Sequence, residues 1–525
     1  MDIFGTAVTA TGIIYKFLVA CGEFSSDAKS LAARFKWDLT ALEAIRGYLG
    51  SQNWDANPES QQAQLLKETA TYLDGFADEV QRSLKKIERE GWLKTTINRL
   101  LWEARQKDLE KMQTELQYWT DRFGVRVLAL PDGVRNVIRA SMALQGAPAT
   151  VQSNQKLLDF TRLASNSDTK RLRAAEMYRD GTEMSKKIEE WGDISFIPFE
   201  DGDKQLIFAT WNVPLSVAHG SPQFEKIKAD VCVLSAALNY LDPAAGVRLL
   251  KVDYCFYHQD SHQFLLAQVA PCSTASMMTL GEMISNSAFP ETEAALDERL
   301  KLAHKLAEAV VFLHAAGFLH KNITSSSAVA LRKSRPRRAK RPASTSGPNA
   351  LKPPPPRPLD EVYLMGFELV RGIESRTYKE GTAVFGPEPT TGGDDAVQRV
   401  DSASIWTRAI YMHPERLKGA DSPKYQKSHD IYSLGVVLLE IGLWEPLQVA
   451  ASTRGGPDER DVPKTWPAGL QALATAPAGL ASRMGQRYQG VVEWCLSRVG
   501  DDGIEQVEFL QNVLDPLEDM SRALA

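Results

Sequence analysis

The side chains best suited to metal or nucleophilic chemistry, the five cysteines, stand far apart at Cys21, Cys232, Cys255, Cys272 and Cys495. No CxxC pair and no His/Cys cluster occurs, which excludes a disulfide framework, argues against a structural zinc site and reads as a reduced, cytosolic chain. The densest charge lies in RKSRPRRAKRPASTSGPNALKPPPPRP, residues 332–358. A basic run followed by a proline tract predicts a disordered insertion. It suits a nuclear-localisation signal, a ligand for proline-binding modules, an anionic-lipid contact, or simply a solvated loop.

The opening 22 residues are apolar enough to imitate a targeting segment. Asp2 comes first where a signal peptide wants positive charge, and Lys16 interrupts a run too short to span a bilayer. Phe4, Val8, Thr11, Tyr15 and Leu18 follow one helical stripe, and Ile3, Ala7, Ala10, Ile14 and Phe17 the neighbouring one. A helix apolar over so wide an arc fits the centre of a bundle, a segment stored there and later inserted in a bilayer, or both.

These segments sit in a chain of 525 residues, too long for one core, with 43% hydrophobic and 24% charged residues and a formal net charge of −5. The balance gives no reason to expect nucleic acid as a partner. Helical spacing predicts a second helix over 25–49, a loop over 51–60, helix again from about Gln61, and a long helix within Trp92–Phe123. Residues 146–193 are charged and weakly periodic and predict one or two brace helices. From Ile194 the texture changes to short strand-like runs at Gln205–Thr210, Val247–Val252 and Phe264–Val269, then to helices at Asp297–Ala316 and His429–Leu443. The expected fold class is multidomain: an all-α bundle over 1–145, the brace, and an α+β bilobal domain over 194–525 interrupted by the 332–358 insertion.

Four segments in order make the later domain resemble a protein kinase: LAEAVVFLHAAGFLHKNITSSSAVAL (306–331), VYLMGFELVRG (362–372), YMHPERL (411–417) and SHDIYSLGVVLLEIGLW (428–444). The resemblance places Asn322 where the family has its catalytic Asp, Thr324 at the following Lys and Ser327 at the metal-binding Asn. Gly366 replaces the magnesium-binding Asp, and Glu368 stands in place of the Gly that ends that motif. No G-x-G-x-x-G lies between 194 and 230, and Lys226 and Lys228, near the place of the phosphate-binding lysine, sit in a polar context. Phosphoryl transfer needs a base, two held magnesium ions and a phosphate cradle acting together. Their joint replacement implies a pseudokinase with no catalytic residue, cofactor or metal. His320, Phe367, Pro414, Glu415 and Asp430 match the family's structural positions, and the loop over 376–405 occupies that of the activation segment.

The segments MDIFGTAVTATGIIYKFLVACGEF, RFKWDLTALEAIRGYL and INRLLWEARQKDLEKMQTELQYWTDRFG are similar to the HeLo domain of fungal prion-inhibition and heterokaryon-incompatibility proteins. A HeLo-like bundle, a brace and a pseudokinase together resemble the mixed-lineage kinase domain-like executioners of necroptosis. That resemblance implies a cytoplasmic protein that, on activation by an upstream partner, self-associates, moves to the plasma membrane and breaches anionic lipid with Ile3, Phe4, Ala7, Val8, Ile14, Tyr15, Phe17 and Leu18. Two other classes stand beside it: a non-lytic scaffold binding protein partners, and an atypical active kinase.

Overall fold

The computed structural model describes the chain apart from residues 1–4, 24, 52–60, 90–98, 142–146, 165–166, 192–197, 286–293, 334–360, 367–370, 373–405, 407, 418–421, 458–464, 478, 499–505 and 525. Ile3, Phe4, Phe367, Glu368, residues 376–405 and nearly all of the basic insertion lie outside the described residues. The chain divides into two compact units, Met1–Gln155 with Glu505–Gln511, and Lys156–Ile504 with Asn512–Ala525.

The first unit is helical: α1 (Gly5–Cys21), α2 (Ser26–Ser51), α3 (Gln61–Arg89), α4 (Arg99–Leu128), α5 (Asp132–Ser141) and the start of α6 (Ala149–Arg162). Helix α1 packs on α2 and α3, and α2 on α4 and α5. The arc predicted to be apolar is the arc that is covered: Ala10, Thr11, Ile14, Phe17, Leu18 and Cys21 are buried, while Val8 and Tyr15 are half-buried and Lys16 faces solvent. Across the bundle Trp119 lies between Phe35 and Phe123, with ring centroids 5.6 and 5.3 Å away. Asp38 is wholly buried beside this stack and accepts a hydrogen bond from the Thr120 hydroxyl at 2.8 Å. Burial raises its pKa well above the ordinary value against the pull of that bond, so its neutral form is favoured.

The second unit mixes antiparallel sheet with helix. Strands β1 (Phe199–Asp201), β2 (Lys204–Asn212), β3 (Val252–His258) and β4 (Gln263–Val269) form a sheet in the order β1-β2-β4-β3. Helix α7 (Asp168–Glu176) packs on α9 (Pro222–Asn239), which lies on β3. Helix α8 (Thr182–Trp191) brings Met184 and Ile188 to Phe199, Leu206, Tyr254 and Phe256. Residues 149–191 thus form three helices rather than one or two. Between α7 and α8 the chain zips onto the edge of β3, with Cys255 N–H donating to Met177 O at 2.8 Å and Arg179 N–H to Cys255 O at 2.9 Å. Gly181 is required just after this edge: a Cβ there would lie 2.5 Å from the Phe256 ring and 2.8 Å from Tyr257 O.

Two local expectations are corrected. Val247–Lys251 is irregular and only Val252 joins a strand, because Gly246 and Arg248 adopt positive φ of 63° and 57° that an extended run cannot contain. Lys226 and Lys228 lie within α9, whose start is fixed by Pro222 and by the Ser221 hydroxyl accepting from Phe224 N–H at 3.2 Å.

Further along come β5 (Thr274–Thr279), α10 (Leu280–Ser285), α11 (Leu296–Ala315), β6 (Phe318–Leu319), β7 (Ala328–Lys333), β8 (Val362–Leu364) and β9 (Arg371–Gly372). Strands β7 and β8 pair antiparallel, so the basic insertion joins neighbouring strands. At its base Glu361 is held by Arg248, by Lys333 at 3.1 Å and by the Tyr363 hydroxyl at 2.6 Å. Helix α12 (Lys427–Leu443) is buried from Ser428 to Leu443, its Asp430 and Glu440 included. Gly435 and Gly442 admit its neighbours, since a Cβ at Gly442 would meet Leu480 at 2.4 Å and Tyr488 at 2.8 Å.

Candidate functional site

The site is organised by one carboxylate. Asp430, in the first turn of α12 and fully buried, accepts hydrogen bonds from the backbone N–H of His320 and of Lys321, both at 2.8 Å. His314 Nε2 donates to it at 3.0 Å and the Tyr425 hydroxyl at 2.9 Å. Burial presses the carboxyl upward, yet these bonds and charges, His314 foremost, hold it below the usual carboxylate range. His320 is 1% exposed, and burial takes its pKa down to about 4, so its ring is neutral at pH 7. Asp430 thereby fixes the loop that follows β6, where Lys321 takes a left-handed φ of 65°.

Along that loop the polar side chains turn inward. Thr324 N–H donates to Ser327 Oγ at 2.9 Å, Ser327 N–H to Thr324 Oγ1 at 3.2 Å, and Ser327 Oγ to Thr324 O at 2.9 Å. These two hydroxyls close a turn. Asn322 is half-buried, with its N–H 3.3 Å from His320 Nδ1. The facing strand reaches the loop through Met365 N–H, which donates to Ser327 O at 2.7 Å. Gly366 follows at φ 81°. The structure brings Asn322, Thr324, Ser327, Gly366, His320 and Asp430 to one neighbourhood. Residues 320–327 contain no carboxylate, and the one in 361–366 is Glu361, already tied at the base of the insertion.

Two further groups surround this loop. Ser325 Oγ lies 2.8 Å from Tyr411 Oη, and the Tyr411 hydroxyl donates to Glu440 Oε2 at 2.6 Å in the last turn of α12. Burial raises Glu440 to about 7, partly offset by the bonds from Tyr411 and Ser325. Below the ordinary carboxylate value both folded and unfolded chains hold this proton, so its stabilising effect is complete there. That effect is lost as pH rises through 7. Glu440→Gln should consequently gain on the natural chain by roughly 2 kcal/mol between about pH 5 and pH 8; parallel pH profiles in thermal melts would disprove the assignment. Nearby, Pro414 and Glu415 begin a 3-10 turn (Pro414–Leu417), where Glu415 Oε2 lies 3.6 Å from His429 Nε2.

His314, Tyr425, Tyr411, Glu440 and the histidines 413 and 429 were not singled out from the sequence. His413 adjoins the Pro414–Glu415 pair and His429 adjoins Asp430, and that adjacency was the available signal. No protein-family model matches the chain, and no curated protein matches it as a relative.

Proposed function

We propose that the second unit is a catalytically inactive kinase-like domain whose role is binding and switching, and that it governs a helical unit able to act on membranes. The observation that carries this reading is the Asp430 carboxylate holding His320 and Lys321 N–H beneath a loop that contains no carboxylate. The scaffold of a phosphotransfer loop is kept, while a base and metal ligands are missing from the sequence at Asn322, Thr324, Ser327 and Gly366. The packing of α7 on α9, and of α8 on the sheet, supports the brace as the element through which a signal in this unit would leave it. On this reading the protein is cytoplasmic, uses no cofactor, self-associates on activation by an upstream partner, and meets anionic lipid at the plasma membrane through α1.

No single helix among the described residues is long and apolar enough to cross a membrane. Helix α1, with 17 residues, reaches about 25 Å at ~1.5 Å per residue, short of the ~30 Å hydrocarbon core. Its action would accordingly be shallow insertion by several copies. The burial of Ile14, Phe17 and Leu18 favours a second reading, in which α1 is only a core helix and the chain is a non-lytic scaffold.

Dye release from anionic liposomes separates the two. Residues 1–155 are compared with their Phe4→Glu variant and the full chain, after circular dichroism has checked that the fragment, lacking 505–511, keeps its helices. Leakage from the fragment, lost in the variant and suppressed in the full chain, is the expected result. A folded fragment inert at micromolar concentration moves the assignment to the scaffold, and binding of Mg–ATP by the full chain would count against an inactive second unit.

A further inference from the structure

His413, Glu415 and His429 place three ligand atoms within 4.8 Å of one another. Both histidines are 1% exposed, and their rings lie 4.4 Å apart, between the 3-10 turn Pro414–Leu417 and the start of α12. His413 Nε2 donates to Arg498 O at 3.0 Å, which fixes its tautomer and leaves Nδ1 an acceptor, 4.0 Å from Glu415 Oε2 and 3.3 Å from the Glu415 N–H. An imidazole oriented by a backbone carbonyl in this way is the usual outer support of a metal-ligating histidine. His429 Nε2 is buried without a hydrogen-bond partner and stands 3.6 Å from the same carboxylate oxygen. In a tetrahedral zinc site with bonds of ~2.0–2.2 Å, neighbouring ligand atoms are about 3.4 Å apart, so contractions of a few tenths of an ångström suffice for these two pairs.

We propose that His413 Nδ1, Glu415 Oε2 and His429 Nε2 form a binding site for a zinc-class divalent cation, with solvent as the fourth ligand on the side where Glu415 is partly exposed. Two imidazoles and one carboxylate suit zinc, cobalt or nickel and not magnesium or calcium, which prefer all-oxygen shells. Binding displaces two long N–H···N contacts, Glu415 N–H to His413 Nδ1 at 3.3 Å and Gln426 N–H to His429 Nδ1 at 3.2 Å. The neutral His429 ring moves its proton from Nε2 to Nδ1, so no proton is released there. The bound ion would staple the 3-10 turn to α12. This inference does not depend on the membrane reading.

The full chain, stripped with a chelator, is titrated with Zn2+ against a chromophoric competitor, and with Co2+ to read its electronic spectrum. One equivalent bound in a tetrahedral, thiolate-free site is expected. Glu415→Gln and His429→Gln should each weaken binding at least ~10-fold, and Glu189→Gln/Asp260→Asn, which alters a second cluster of potential ligands among the described residues, at Glu189, His258 and Asp260, should leave it unchanged. The natural chain should also melt at higher temperature with Zn2+ than with Mg2+, a readout that needs no variant. Absence of stoichiometric binding, a cobalt–thiolate charge-transfer band, binding unaltered in folded Glu415→Gln, or loss of binding in the Glu189/Asp260 variant would each overturn the proposal.

Discussion

Replacing Asp430 by alanine is expected to destabilise the second unit by about 3–5 kcal/mol, because a buried anion is removed from four donors that have no water to turn to. Those donors are His320 N–H, Lys321 N–H, His314 Nε2 and the Tyr425 hydroxyl. Asparagine keeps the shape but turns an N–H2 group toward the donor side, so it should recover only part of the loss. Calorimetry is the suitable measurement, since two compact units need not melt as one transition. A loss below about 1 kcal/mol would mean that the loop is held by something else. The pH dependence follows the same network. Burial takes His314 below its ordinary value, His320 to about 4 and His429 to about 3. The unfolded chain therefore binds protons on these rings from about pH 6.5 downward that the folded chain refuses, and stability falls with acidification. Asp430, with its folded pKa depressed, adds its own loss as pH falls through that lowered value. Glu440 acts in the opposite sense across the same range, which softens the fall without reversing it.

The second large effect belongs to the helical unit. Trp119→Ala should cost about 3–5 kcal/mol, the range for removing a large aromatic from a packed core. Trp119 is 3% exposed between Phe35 and Phe123. Its ring fills the space where α4 meets α2, and the backbones of two long helices cannot close over the void. Only the transition of the first unit should shift, just as Asp430→Ala should move only the other. A single transition displaced by both variants would show that the units unfold cooperatively.

Much of this architecture is legible in the residues. The wide apolar arc of α1 and the long amphipathic α4 carry their periodicity openly, and helices α2, α3, α11 and α12 start within a residue or two of expectation. What escaped is what periodicity does not encode. The break at Val247–Lys251 depends on two left-handed residues, one of them an arginine, in a run whose composition is strand-like. Helices α7 and α8 are short, and packing on α9 and on the sheet stabilises them more than their own spacing does. At the site, the landmark residues Asp430, His320 and Gly366 were located by their order along the chain. Their partners His314, Tyr425, Tyr411 and Glu440 come from positions that only folding brings together.

One feature of the chain's division bears on how the protein is made. Glu505–Gln511 belong with Met1–Gln155, and the short helix Gln506–Phe509 lies against α3 with Val507 and Leu510 buried. A ribosome delivers residues from the N-terminus onward, and early units ordinarily fold as they emerge. Here the first unit stays one turn short until the whole of the intervening unit has been translated. A message truncated anywhere before residue 505 would release a bundle with that seat on α3 vacant.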